Sequence, residues 1–460
     1  METDIRIVSI DTYFTREAAR VPLKFGGVVM DEAYLAYVRA TVENRAGGRS
    51  EGWGSIFMSD VWAWPSPVVD HATREAVMCD LVRAWGKRVA EFSDYAHPID
   101  IHHQLEAELE PLAARLCSEH GTAERMPRLC ALVCASPVDA AVHDAWGNAA
   151  GIDCYDGYGP SHVTHDLSAW LGADFKNKYI ADYLSPMPDR LDAFHLVGGL
   201  DKLRESEITD DDPQDGLPVS LDQWVRHEQL HCLKIKLRGV DLDWDVDRIC
   251  SVVAVTREAQ AKLGVDEIRL TADTNEQCES PDYCVELLSK LRERDPAAFD
   301  SLLYLEQPCE RDLRRRMLDV RELSALKPVV IDEALASLDD FKLALELGYT
   351  GVALKSCKCQ SAELVIAAKA SQLGIPYTIQ DLTNPGIALL HSVGLAGHLS
   401  PIMGVESNSR QFFPSASEAE KRVHPGVYHL QNGRIDTTTL RGPGLGYRWS
   451  EIGRRFDAAS

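Results

Sequence analysis

The chain has 460 residues, 45% of them hydrophobic, and a formal net charge of −23. That length suggests two or three domains, or one barrel with additions, and so acidic a chain argues against a general binder of nucleic acid or anionic membrane. The opening "METDIRIVSI" carries charges where a signal peptide needs an apolar run, and no long apolar segment follows. This reads as a soluble cytoplasmic protein.

The first stretch alternates as strands do: "IRIVSIDTYF", then "YLAYVRATVENRAGG" and "GWGSIFM" around a turn. Helical patterns follow in "DHATREAVMCDLVRAWGKRVAEF", "QLEAELEPLAARLCSEH" and "MPRLCALVCASPVDAAVHDAWGNAAG". Together these predict an α+β unit over residues 1–150. Residues 151–192 read as an irregular, aromatic connection. The twelve cysteines are scattered through apolar patterns and read as reduced core thiols. "CKCQ" (Cys357, Cys359) has no partner pair at zinc-like spacing, and "HVTH" (His162, His165) reads as a loop.

From about residue 193 a strand–helix rhythm begins. The strand candidates are "AFHLV", "CLKIKL", "EIRLTAD", "LLYLE", "PVVID", "GVALK", "PYTIQ" and "SPIMGV", separated by amphipathic helical runs. Eight such units predict an α/β fold, a closed (β/α)₈ barrel over 193–410. A doubly wound sheet is the rival, but no GxGxxG follows a strand.

Strands two to six end in Lys236, Asp273, Glu306, Asp332 and Lys355, at intervals of 37, 33, 26 and 23 residues. Each interval is about one strand–helix unit, so these residues fall at one level, the carboxyl-terminal mouth where barrel active sites sit. Three converging carboxylates repel one another and raise one another's pKa values. A hard divalent cation resolves that conflict, and carboxylate oxygens with open positions describe a Mg²⁺ site. Any one of the three could be an ordinary helix N-cap; three together, framed by lysine-bearing strands, argue against it. In "KIK", Lys234 and Lys236 point to the same face. A neighbouring ammonium and a metal charge lower a lysine pKa from about 10.4, so Lys236 reads as a base tuned by Lys234. Lys355 serves the opposite face. The chemistry expected is abstraction of a proton α to a carboxylate, with the metal stabilising the enediolate charge.

At these residues the sequence resembles the enolase superfamily, in its muconate lactonising (muconate cycloisomerase) branch. The pairing of a lysine base with Mg²⁺ is a known property of such sites. The matching motifs are "KIK", "ADTN" (Asp273, Asn275), "LEQP" (Glu306), "DEA" (Asp332, Glu333) and "LK" (Lys355). Outside the barrel, "PVDAAVHDAWGNAAG" and "RGPGLGYRW" look like the last capping-domain helix and the C-terminal motif that returns to it. The resemblance implies an N-terminal α+β capping domain, completed by 411–460, over a modified TIM barrel. It further implies Mg²⁺, with Mn²⁺ as a substitute, on Asp273, Glu306 and Asp332. Lys236 and Lys355 become the acid/base pair, and Asn275 and Glu333 supporting groups. A small-molecule carboxylate substrate and a homo-oligomer follow from the same resemblance. Substrate selection is expected in "PLKFGGVVMDEA" and in "GWGSIFMSDVWAWP", whose aromatics (Trp53, Phe57, Trp62, Trp64) either line the pocket or pack between domains.

The chain also departs from that pattern. "CQS" (Gln360, Ser361) stands where the family usually has Gly-Gly. The seventh strand ends in Gln380 and Asp381, with neither the histidine of mandelate-racemase-like members nor the Asp-x-Asp of dipeptide epimerases. Asp381 and Glu406 are placed at the mouth, to touch substrate or Lys355. The leading expectation is an isomerase (cycloisomerase, racemase or epimerase). A lyase using the same enediolate and a non-catalytic binding barrel are the alternatives.

Overall fold

The computed structural model describes residues 1–25 and 28–456, without the side chains of 24–30 and 33. The first three strands, β1 (Ile5–Phe25), β2 (Val28–Asn44) and β3 (Arg49–Phe57), form an antiparallel sheet in the order β1-β2-β3. Four helices cover it: α1 (His71–Ala90), α2 (Pro98–Leu105), α3 (Leu109–Glu119) and α4 (Arg128–Ala150). The single helical run expected over "QLEAELEPLAARLCSEH" is broken, because residues 106–108 take a tighter 3₁₀ turn between α2 and α3. Helix α4 is apolar on nearly every side and buried from Leu129 to Gly147, as a helix between two layers must be.

The barrel consists of β4 (Arg190–Val197), β5 (Cys232–Lys236), β6 (Arg269–Asp273), β7 (Leu302–Glu306), β8 (Val329–Ile331), β9 (Gly351–Lys355), β10 (Tyr377–Gln380) and β11 (Val405–Glu406). All eight are parallel, each bonded to the next, and β11 closes on β4 through Glu406↔Phe194. Closure depends on Gly404, at φ 42°, where a Cβ would lie 1.7 Å from the Asp192 carbonyl oxygen. All eight predicted strands are present.

The helices around the barrel are less regular than the predicted rhythm. α5 (Leu221–Glu228), α6 (Leu242–Ala261), α7 (Pro281–Arg294), α8 (Leu338–Glu346), α9 (Gln360–Leu373) and α10 (Ile387–His398) are full helices. After β7 and β11 the chain makes only short helices, among them Leu313–Arg316, Arg321–Ser324, Ser409–Phe412 and Glu418–Val423. "Arg-rich and short" describes the first of these, which lacks the apolar stripe a longer helix needs to cover a strand.

The C-terminal segment adds β12 (Arg434–Asp436), antiparallel to the start of β4, and then packs on α4. Gly444 sits there at φ 72°, its position filled on one side by the Asp144 carboxylate, which accepts from the Leu445 and Trp53 amides at 2.8 Å each. "RGPGLG" is therefore a docking turn against a helix. Cysteines 79, 117, 130, 134, 154, 232, 250, 278, 284, 309, 357 and 359 are free thiols, all buried but Cys250. Among the described residues no helix is long and apolar enough to cross a membrane.

Candidate active site

The parallel register holds Lys236, Asp273 and Glu306 at one level and, by pairing Glu306 with Val330 and Val330 with Gly351, sets Asp332 two and Lys355 four residues further along. Lys236 pairs with Asp273, Asp273 with Glu306, and Lys355 with Gln380. Side chains in register on parallel neighbours share a face, so these groups meet inside the barrel. Asp332 follows β8 directly. All are buried: Asp273 and Asp332 are 0% exposed, and Lys236, the most open, is 8%.

Lys234 is the hub. Its Nζ donates to Glu306 Oε1 at 2.8 Å, Glu406 Oε2 at 3.2 Å and Gln380 Oε1 at 3.3 Å, and lies 3.3 Å from Asp273 Oδ2. Lys236 Nζ donates to Asp273 Oδ2 at 2.5 Å. Across the mouth, Lys355 Nζ lies 2.8 Å from Asp332 Oδ2, in contact but outside hydrogen-bonding geometry. Gln380 Nε2 also holds Glu306 Oε2, at 2.6 Å. Asn275 Nδ2 bridges Asp273 Oδ2 (3.2 Å) and Glu333 Oε1 (2.9 Å). Asp381 and Glu406 are joined by Asn408, whose Nδ2 donates to both at 3.1 and 2.5 Å.

Sequence reasoning missed one lysine. Lys358 is 1% exposed, and its Nζ donates to the Asp332 carbonyl at 2.8 Å and to Asp332 Oδ1 at 3.2 Å. The signal was available in "LKSCK": a one-turn 3₁₀ helix (Ser356–Lys358) follows β9 and turns the second lysine back inward. Arg311, clamped on Glu276 at 2.9 Å and on the Trp62 carbonyl at 2.9 Å, was missed too.

The charges decide the pKa values. Burial raises Glu306 well above the carboxylate range, and repulsion from Asp273 adds to it. Burial opposes ionisation of Asp273 as well, but Lys236 and Lys234 outweigh it and hold that carboxyl at about 2. Burial, with Asp332 and Asp273 nearby, pushes Glu333 up to about 7; burial and Glu406 push Asp381 up to about 7. The other two lysines of the mouth, Lys234 and Lys355, are shifted upward. Burial alone would lower both. Glu306, Glu406 and Asp273 reverse it at Lys234, and Asp332 leads the reversal at Lys355, so both ammonium groups are held above the ordinary lysine value.

The donor set suits a hard divalent cation: three carboxylates, no sulfur and no imidazole. Four lysines (234, 236, 355, 358) against six carboxylates (273, 306, 332, 333, 381, 406) leave the interior with a formal charge of −2. The oxygens of Asp273, Glu306 and Asp332 do not gather within 4.8 Å of one another, as two groups elsewhere in the chain do. The ammonium groups stand between them. A cation held by all three would have to take over the carboxylates now paired to Lys234 and Lys236.

The cap reaches this site through Trp62. Its Nε1 donates to Glu333 Oε1 at 3.1 Å and its ring lies 4.6 Å from Lys355 Nζ. The other aromatics of that run pack elsewhere: Trp53 stacks on Trp449 at 4.0 Å, Phe57 lies 4.7 Å from Phe413, and Trp64 donates to Glu124 at 2.8 Å. Of the candidate selector "PLKFGGVVMDEA" (residues 22–33), positions 26 and 27 and the side chains of 24–30 and 33 lie outside the described residues, and the rest belongs to the paired strands β1 and β2. Gln360 and Ser361, in place of Gly-Gly, tie the barrel to the cap and connection. Gln360 Nε2 donates to the Tyr158 hydroxyl at 2.6 Å and Ser361 Oγ to Asp139 Oδ1 at 2.7 Å.

Residues 218–452 match the family model described as "Enolase C-terminal domain-like". The chain belongs to this family. It is an enzyme of the enolase superfamily, in its mandelate racemase/muconate lactonising branch. Solved structures share the fold at low identity. The dipeptide epimerase of Enterococcus faecalis V583, complexed with Mg and L-Leu-L-Tyr, has a TM-score of 0.60 at 15% identity, over 96% of this chain and 99% of its own. The muconate lactonizing enzyme of Pseudomonas fluorescens, complexed with muconolactone, has 0.60 at 17%, over 96% of each chain. The 2-chloromuconate cycloisomerase of Rhodococcus opacus 1CP has 0.59 at 16%, over 98% of this chain and 100% of its own. No curated protein sequence matches. As in these enolase-family structures, an antiparallel-sheet domain accompanies a closed barrel, and here Trp62 of that domain lies over the barrel mouth.

Proposed function

We propose that this enolase-superfamily enzyme removes the proton α to the carboxylate of a small-molecule substrate, with Mg²⁺ bound by Asp273, Glu306 and Asp332. The observation that carries the reading is the placement of Lys236 and Lys355 on strands two and six, on either side of those three carboxylates. When bound, the metal supplies Lewis-acid stabilisation of the charge that develops on the substrate carboxylate. Mn²⁺ has the same preference for oxygen ligands and substitutes for it.

The chain's own residues do the rest. Lys236 and Lys355 address opposite faces of a flat, deprotonated carbon, so one takes the proton and the other returns it. Lys236 reaches the substrate only when its ion pair with Asp273 is released. Lys234 neutralises Glu306 and Glu406, and Lys358 neutralises Asp332, which keeps the carboxylates together without blocking the acid/base positions. Asn275 and Trp62 hold Glu333. Asp381 and Glu406, joined by Asn408, face the remaining side of the mouth, where they contact substrate. We take residues 1–150 with 411–460 as the capping domain, 151–192 as the connection and 193–410 as the barrel.

An isomerase outcome is favoured because a two-lysine arrangement serves either hand of proton transfer. A lyase of the same superfamily would begin with the same abstraction and differ in product. The test is a set of carboxylic acids incubated in deuterium oxide with Mg²⁺ and the protein. The expected result is metal-dependent deuterium incorporation at the α-carbon of at least one acid, with product identity separating isomerase from lyase. Exchange that persists in both Lys236→Ala and Lys355→Ala would overturn the assignment.

A further inference from the structure

Outside the barrel mouth, chemistry-bearing side chains gather at one other buried place. A ring nitrogen of His102, a carboxylate oxygen of Asp139 and Sγ of Cys359 all lie within 4.8 Å of one another. They come from three elements, α2, α4 and the residue that opens α9, so the group spans the junction of cap and barrel. We infer that this junction is a second metal site, for a borderline divalent cation of the Zn²⁺ class, held by His102, Asp139 and Cys359.

The donor set points to the class of ion. Imidazole nitrogen, carboxylate oxygen and thiolate sulfur together suit zinc, and not the hard Mg²⁺ of an all-carboxylate site. Ligands about 2.0–2.3 Å from a tetrahedral zinc sit about 3.3–3.7 Å apart; the three donors here all fall within 4.8 Å of one another.

A second, independent observation is the state of His102. The residue is 7% exposed, yet its Nε2 is buried without a hydrogen-bond partner. A buried polar atom left unpaired costs free energy, and an ion bound through Nε2 would satisfy it, with Nδ1 left facing Asp139 Oδ1 at 3.4 Å. The Cys359 thiol is equally under-used, with a single long contact to the Leu132 carbonyl at 3.6 Å. Asp139 accepts from the Ser361 amide at 3.0 Å and the Ser361 hydroxyl at 2.7 Å. A carboxylate has about four acceptor positions, so those bonds leave room for a ligand contact.

There is also a way in. His102 forms another metal-capable group with the half-buried His103 and Glu106. Both line a cavity of about 360 Å³ that also touches Trp170 and Lys342. That outer group offers an ion its first contacts and one of its residues, or water, a fourth ligand. The sequence alone could not show this. "CKCQ" lacks a partner pair, and the histidine and the aspartate lie more than 200 residues upstream. The site would be structural, pinning the segment after Lys355 to the cap.

The test uses the full-length chain, stripped of metal and then saturated with Mg²⁺ to fill the carboxylate site. Co²⁺ is added as the spectroscopic probe, followed by Zn²⁺ as competitor. One equivalent of Co²⁺ should bind with a thiolate-to-cobalt charge-transfer band, and Zn²⁺ should abolish the band. Cys359→Ser and His102→Gln should each lose the band, with unchanged circular dichroism. Asp273→Asn should keep it. Absence of the band in the wild-type protein overturns the inference without reference to any variant. So does a band that survives Cys359→Ser, since another of the twelve thiols would then be its source.

Discussion

The ring of Trp62 lies 4.6 Å from the Lys355 ammonium, and the indole N–H of the same residue holds Glu333 at 3.1 Å. One side chain of the cap thus touches two groups at the ends of barrel strands. A cation–π contact of this kind contributes about 0.5–2 kcal/mol when desolvated, and a hydrogen bond to a charged group about 1.5–3 kcal/mol. Trp62→Ala is therefore expected to lower kcat/KM by roughly 10- to 100-fold. Trp62→Phe, which keeps a ring over Lys355 but cannot donate to Glu333, should fall between. The measurement is α-hydrogen exchange of an accepted acid. Equal activity in all three proteins would remove Trp62 from the site.

Lys236 and the metal are separable. Lys236→Ala should cut exchange by about 10²- to 10⁴-fold, the range of general base catalysis, while Mg²⁺ still binds in calorimetry. Asp273→Asn should do the reverse, weakening Mg²⁺ binding and activity together. Chelation should silence the wild-type enzyme, with Mg²⁺ or Mn²⁺ restoring it. A chelated protein that retains full exchange would place the chemistry elsewhere.

Gly444 tests the return of the C-terminal segment to the cap. A Cβ at this position would fall 2.2 Å from Asp144 Oδ1, on a backbone at φ 72° that other residues adopt at a cost. Gly444→Ala should destabilise the protein by about 2 kcal/mol or more, read as a lower Tm, with protease cleavage advancing from the C-terminal end. An unchanged Tm would mean the turn is free to move.

Asp192 gives a pH-dependent prediction. The bond from His231 lowers its pKa most; burial opposes, and Arg434 at 2.7 Å lowers it further, to about 2. A carboxyl depressed in the fold stabilises it fully above its unfolded value of about 3.9 and loses that contribution as pH falls through about 2. Asp192→Asn should therefore cost stability at pH 6, about 1 kcal/mol given the partial solvent screening. Near pH 2 it should equal the wild type. A difference that is constant with pH would assign the effect to packing.

Much of the barrel was legible because parallel strands buried on both faces read as short apolar runs, and because residues at their ends recur at the spacing of one strand–helix unit. Lys236, Asp273, Glu306, Asp332 and Lys355 could be lined up on that basis; the register holds the first three at one level and sets Asp332 two and Lys355 four residues further along their strands, an even offset that keeps all five on one face. The helices were harder. The short helices after β7 and β11 are too brief to show a periodic stripe, and the break at residues 106–108 falls inside a continuous helical pattern. Lys358 escaped because a tight turn, invisible to a period-two or period-3.6 reading, brings it back inside.

By itself, the sequence determined the order and face of the charged strand ends, because the unit length spaces them along the chain and the strand period places each side chain on a face. Only the tertiary structure decided how those charges pair. Lysine Nζ atoms reach across neighbouring strands, and in a buried interior the nearest opposite charge dominates. Thus Lys234, read as the group that lowers its neighbour's pKa, is itself held charged by Glu306, Glu406 and Asp273. The same holds for Trp62 on Lys355 and for His102, Asp139 and Cys359. These contacts join residues far apart in the chain, and no local pattern encodes which of several buried side chains will meet when two layers close.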